Sequence, residues 1–295
     1  MPALALDPAM ATGGVIALGS AAAGALALAF GGAPLGVLLI ARRMSLMGDA
    51  LSHGILVGAA LAFLVAGRDP VALTIGALAA ALVVSSLSSL LARTRRLPED
   101  AAFAVVYLPA LAAGVVLMSR SAGPEALEGM LFGAPGALDR SGLLLAATAA
   151  SASLIALALF IRGFVAESVD PGAARARGAG GWLHLLLMML VALNLVAGFR
   201  AFGALMTVAL MMIPAAGARF WARGYAGQAG AAIVIAALAS GAGLLIAARA
   251  GVEPGAVMTL CAAGLFALSG LLGANGGLVV TLVGRSRLAR RAPVA

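Results

Sequence analysis

The stretch RRMSLMGDALSHGILVG (residues 42–58) opens on two arginines and continues as an apolar run, yet places Asp49 and His53 four residues apart near its start. Followed outward, the run reaches residue 66. The segment 47–66 is then about 20 residues long, enough for a helix to cross a hydrocarbon layer roughly 30 Å thick. Segments of similar character recur at 14–41, 71–92, 101–118, 142–161, 182–198, 202–218, 230–248 and 254–284. The fold class that follows is all-α: a polytopic transmembrane helical bundle of about nine spans. Its range is eight to ten, because the first and last segments are long and contain breaker clusters (Gly31, Gly32 and Pro34; Gly273, Asn275, Gly276 and Gly277).

Composition leads to the same class. Of 295 residues, 63% are hydrophobic and only 10% charged, too few polar side chains to clothe a water-soluble surface. A net charge of +8 would suggest nucleic acid in a soluble chain, but here the basic residues sit in short loops between apolar segments. They report orientation, and the expected surroundings are lipid, with no nucleic-acid partner. With nine spans the arginines divide 14 to 5 between the two sides, Arg42, Arg43, Arg219 and Arg223 among the larger group. Positive charge is retained on the cytoplasmic face, so the N-terminus is expected outside and the C-terminus inside.

All 19 basic residues are arginine; the chain has no lysine. That excludes a P-loop and a Schiff-base nucleophile on this chain, so ATP, if it drives the protein, is hydrolysed by a separate subunit. The lone Cys261 can form neither an internal disulfide nor a cysteine-pair metal site and reads as a packing residue. The N-terminus lacks the positive region of a cleavable signal, so the first apolar segment is expected to stay in the mature protein. The chain, 1–295, reads as a single transmembrane domain. Two longer loops stand out: an outer one from Ser119 to Arg140 with an amphipathic middle, and an inner one, 162–181, with a Pro-Gly turn and a short Ala/Arg segment suited to docking a cytoplasmic partner.

In a helix, residues i and i+4 share a face, so Asp49 and His53 can both address one cation. Carboxylate oxygen with imidazole nitrogen suits zinc, and manganese less selectively. The bland alternative is that Asp49 caps a helix N-terminus while His53 bonds a neighbour. Against it stands the cost of ionisable groups within a span, which tend to face a pathway or the bundle interior. Gly54 and Gly58 continue the helix as GxxxG, a close-packing pattern that suggests an interior location. Pro214 removes a helix donor and is a candidate kink or hinge. Met188, Met189, Met211 and Met212 point in different directions and read as core. His184 reads as interfacial beside Trp182, and Glu253 before Pro254 as a helix start.

These residues resemble a known family, the permease subunits of bacterial zinc and manganese ABC importers. The resemblance begins in PLGVLLIARRMSLMGDALSHGILVG (34–58), recurs in GALMTVALMMIPAAGARFWAR (203–223) and EPGAVMTLCAAGLFALS (253–269), and includes VDPGAARARG (169–178). It implies a multi-pass permease of the bacterial inner membrane that pairs with a second permease copy as a homodimer. It also implies two ATPase subunits on the cytoplasmic side and a periplasmic or surface-tethered metal-binding protein outside. No cofactor is held permanently; Zn²⁺ ranks first as cargo, Mn²⁺ second and iron third, with ATP on the partner chain. By the same resemblance Asp49 and His53 match the family's acid and histidine in the metal path, and Asp170, Pro171, Ala174 and Gly178 match its coupling segment. The chain departs from relatives at Ala134, where many carry a polar residue, and at Leu108 and Pro109, where some zinc-type members have His and Ser. Two other functions fit the residues alone: a secondary transporter using Asp49 as proton carrier, and a non-transporting structural subunit in which Asp49 and His53 are a packing pair.

Overall fold

The computed structural model describes residues 8–67, 69–93, 98–121, 139–170, 172 and 180–281. Its helices are α1 (Pro8–Ala41), α2 (Ser45–Gly54), α3 (Leu56–Ala66), α4 (Pro70–Arg93), α5 (Glu99–Ser121), α6 (Arg140–Val169), α7 (Gly180–Ala218), α8 (Tyr225–Ala250) and α9 (Pro254–Leu272). No strand occurs among the described residues.

Among the described residues, eight segments are long and apolar enough to cross a membrane, and they correspond to eight of the nine expected. The exception is the seventh. A straight helix would hold residues 198 and 207 about 13 Å apart, yet a Cβ on Gly198 would overlap the side chain of Thr207. The chain therefore folds back on itself at Gly203, whose φ of 83° and ψ of 170° only glycine adopts readily. The return arm, Met206–Ala218, is a shorter apolar helix that leads from the end of the bundle holding Arg200 back to the end where Arg219 lines a cavity with Val169. Irregular backbone at membrane depth must be buried and satisfied: Gly203 is buried, and Thr207 Oγ1 donates to its carbonyl at 2.7 Å. The break in α7 lies here and not at Pro214, through which the helix continues.

Other boundaries moved too. The last span ends at Leu272 instead of running to 284, and the glycine-rich turn after it folds against the α7–α8 connection, Asn275 N donating to Phe220 O at 2.8 Å. In contrast α1 stays helical through Pro34. Helix α6 runs on past residue 161 to Val169, so the first eight residues of the expected inner loop are helical.

Small residues bring the helices together. Ala25, Ala29 and Ala33 recur every fourth residue on α1 and are fully buried, as are Ala232 and Ala236 on α8. A lipid-soluble bundle has no hydrophobic drive between its helices, so such stripes supply close van der Waals packing instead. Helix α1 is the hub, packed on α6, α7 and α8. Large apolar side chains point outward instead, Val65 at 90% and Leu260 at 71% exposure, as lipid-facing surface requires.

The two ends of the bundle are chemically distinct. At one, Arg200 reaches Ser141 Oγ at 3.0 Å and Asp139 at 3.8 Å, beside the start of α6. At the other, Ile40 and Ala41 at the end of α1 share a cavity wall with Val169, Arg219 and Arg223. The end of α9 lies there as well, since Gly273 abuts Phe220. The start of α1 and the end of α9 thus lie at opposite ends of the bundle.

Candidate functional site

Helix α2 begins at Ser45 with Met44 at the N-cap, so Asp49 lies in its second turn and caps nothing. Its side chain points along the helix to His53, whose Nε2 lies 3.7 Å from Asp49 Oδ1. The i,i+4 expectation is met in geometry. The face they share was not expected. Met47, Gly48, Ala50, Leu51, Ser52 and Gly54 turn inward, while the Asp49 side chain is 62% and that of His53 34% exposed. The pair opens on the outer surface of the chain, on the same stripe as Leu46, and not into the bundle.

Of the two glycines in the GxxxG pattern after the pair, Gly58 makes a close approach to a specific neighbour and Gly54 does not. A Cβ on Gly58 would overlap the backbone oxygen of Gly76 on α4, and one on Gly76 would overlap Gly58 in return. At Gly54 the nearest atoms, on Val84 and Tyr107, are 3.4 and 3.5 Å away. Gly48 sits over Met211 and Met212 of the return arm, which ties α2 to the folded-back α7. Met188 and Met211 are buried core residues. Glu253 precedes Pro254 at the start of α9, making no side-chain cap bond, and the half-buried Cys261 packs against the buried core.

Arg42 does not extend into water as a loop arginine would: its side chain is only 6% exposed and binds Glu167 at 2.9 Å. It also donates to Ser168 Oγ at 3.2 Å and to Phe164 O at 3.4 Å, and stands 5.9 Å from the centre of the Phe164 ring. Arg43, exposed, takes a left-handed φ of 60° in the turn between α1 and α2. The pair Arg42–Glu167 was not foreseen; the signal for it was an acid, Glu167, close behind an apolar segment on the arginine-rich side.

Of the expected coupling residues, Asp170 ends α6, with its Oδ1 accepting from Gly172 N at 2.9 Å. Pro171, Ala174 and Gly178 lie outside the described residues, as do Ala134 and most of the outer loop. His184 lines a small cavity with Met47, Ser85, Ser88 and Phe103. Trp182 beside it is 47% exposed and meets Phe160 edge to face at 5.1 Å. Among the described residues no cluster of three or more His, Cys, Asp or Glu side chains could hold a metal, so Asp49 and His53 stand as two donors.

The profile of the ABC 3 transport family matches residues 16–273. The chain belongs to the ABC 3 transport family. It is a multi-pass permease subunit of the bacterial plasma membrane, not an enzyme. Among its relatives, the manganese transport system membrane protein MntC of Bacillus subtilis is 29% identical over 281 residues. That match covers 91% of this chain and 64% of the relative, so the chain spans just under two thirds of that protein's length. The high-affinity zinc uptake system membrane protein ZnuB of Haemophilus influenzae is also 29% identical, covering 80% of this chain and 90% of the relative. The solved structure of PsaBC from Streptococcus pneumoniae in complex with Fab contains a chain of the same fold. Its TM-score is 0.78 at 27% identity, with 90% of this chain and 94% of that one covered.

Proposed function

We propose that this chain is the membrane-spanning subunit of an ATP-driven importer of divalent transition-metal ions, with Asp49 and His53 as transient ligands along the ion's path. The observation that carries the reading is the placement of the pair. Two ionisable groups 3.7 Å apart lie within a spanning segment, on a face this chain's own helices leave open. Such groups are too costly against acyl chains. A second copy of the permease laid on this face encloses them in a shared pathway and brings a second Asp49 and His53 to it, which supports the homodimer.

The donor set suits both Zn²⁺ and Mn²⁺, and two ligands per copy hold an ion loosely enough to release it. The names of the relatives, manganese for one and zinc for another, support both cargoes and do not favour Zn²⁺ over Mn²⁺. ATP is hydrolysed on a separate chain, which docks at the segment from Asp170 through Pro171, Ala174 and Gly178. A metal-binding protein delivers the ion at the opposite end. The arginine division places the start of α1 outside and the end of α9 inside.

The test is reconstitution with the cognate ATPase and binding protein in vesicles, measuring Mn²⁺ and Zn²⁺ entry side by side. Asp49→Asn and His53→Ala are expected to abolish most uptake of the transported ion while the complex still assembles. Undiminished uptake by a stably inserted Asp49→Asn/His53→Ala double variant removes the pair from the path. Uptake that persists without nucleotide and collapses with the proton gradient replaces the ATP-driven reading by a secondary transporter.

A further inference from the structure

At the end of the bundle that carries Arg42, a cavity of about 330 Å³ opens between the ends of α1 and α6 and the start of α8. Its inner wall is apolar: Val37, Leu38, Ile40, Val165 and Val169. Most polar groups on the wall are already committed. Tyr225 OH donates to Pro34 O at 3.3 Å, Ser168 Oγ donates to Phe164 O at 2.7 Å, and the Gln228 amide donates to Ala222 O at 3.0 Å. The exceptions are the exposed guanidiniums of Arg219 and Arg223, which pair with no carboxylate among the described residues. Helix α8, 26 residues long, begins at the same place with no side-chain cap on its first turn, adding the positive end of its dipole.

Two unpaired arginines above a greasy wall are complementary to an anionic amphiphile. We propose that this cavity is a binding site for the phosphate headgroup of an anionic phospholipid, its acyl chains lying along α1 and α6. Depth supports a lipid. Both tryptophans of the chain lie at this end, Trp221 at 45% and Trp182 at 47% exposure, and half-exposed tryptophans mark the headgroup level of a bilayer. An acidic protein surface would match the arginines but would leave Val169, 81% exposed, and the apolar wall uncovered. The site stands apart from Asp49 and His53, and its test does not read metal transport.

Full-length protein in detergent is titrated with phosphatidylglycerol or phosphatidylcholine and the retained lipid is read by native mass spectrometry. Wild type is expected to prefer phosphatidylglycerol by up to about 25-fold, since each of the two arginines near the headgroup contributes about a fivefold factor. R219Q/R223Q should lose most of that preference. R219K/R223K, which keeps the charges, should retain it, so misfolding and loss of the site are separable. Equal retention of the two lipids, or a preference that survives in R219Q/R223Q, overturns the proposal. Binding of inorganic phosphate with no lipid retained overturns it in favour of a free anion site. An R219Q/R223Q variant that keeps its lipid preference but no longer co-purifies with the ATPase subunit overturns it in favour of a protein interface.

Discussion

Arg42 and Glu167, 125 residues apart in sequence, meet at 2.9 Å with both side chains under 10% exposed. Glu167 sits three residues before α6 gives way to Asp170, and Arg42 forms the turn from which α2 departs toward Asp49 and His53. The ion pair is therefore a direct side-chain connection between the segment proposed to meet the ATPase and the helix proposed to meet the ion. Removing two charges from water costs several kcal/mol per ion, and only good geometry with further hydrogen bonds offsets it; Ser168 and the Phe164 carbonyl supply those bonds to Arg42.

Breaking the pair from one side is expected to be severe. Arg42→Met leaves a buried carboxylate uncompensated and should cost about 3–5 kcal/mol, read as a fall in thermal stability by fluorescence-detected size exclusion. Arg42→Met/Glu167→Leu removes both charges and should recover most of that loss. If the recovered double variant hydrolyses ATP in the assembled complex but imports little metal, the pair transmits motion as well as stability. Full import would restrict it to a structural role.

The two glycines after His53 make a sharper contrast than their shared motif suggests. Gly58→Ala places a methyl against the backbone of Gly76, which cannot move aside cheaply, and should destabilise by about 1–3 kcal/mol. Gly54→Ala meets only side-chain atoms at 3.4 Å or more and should be nearly neutral. Unfolding temperatures of the two variants decide it; equal effects would mean that α3 and α4 adjust more readily than close packing allows.

Much of this was legible because hydropathy and helical period are local. The eight full-length spans, the shared face of Asp49 and His53 and the need for a separate ATPase all follow from residues near one another in sequence or from the missing lysine. What was hidden depends on distant contacts. Hydropathy measures the thickness of apolar surroundings, so it ended the fifth span near residue 161 although the helix continues to Val169 and carries Glu167 to Arg42. Nor does it show where one helix reverses into the next. The segments 182–198 and 202–218 are both apolar, and only the backbone at Gly203 and the contact of Gly198 with Thr207 show how tightly the second folds back on the first. That Asp49 and His53 open on the outer surface of the chain was likewise unreadable, because a share of the apolar face of α2 had to be assigned to α4, α5 and α7 first.

The reversal at Gly203 depends on a backbone conformation that a Cβ forbids. Gly203→Ala is expected to cost about 1–3 kcal/mol and to loosen the return arm that underlies Gly48. Hydrogen exchange should quicken across 206–218 with α8 unchanged. Unaltered protection there would show that the turn tolerates a side chain.

At the opposite end, Asp139 caps α6, and a pH titration reads its contribution. Its carboxylate accepts from Ser141 Oγ at 2.5 Å and Gly142 N at 2.8 Å and lies near Arg200, and these contacts, Ser141 foremost, hold it below the ordinary aspartate value of 3.8. A carboxyl that is more acidic folded than unfolded stabilises the fold above the unfolded value, and the contribution is lost as pH falls through the folded one. Asp139→Asn keeps the cap but not the charge. Wild type should therefore melt slightly higher than Asp139→Asn at neutral pH, with the gap closing as pH drops below about 4. The gap should be small, since the group is 64% exposed, and smaller still in high salt. A gap that widens on acidification would mean that the protonated, not the ionised, carboxyl is the better cap.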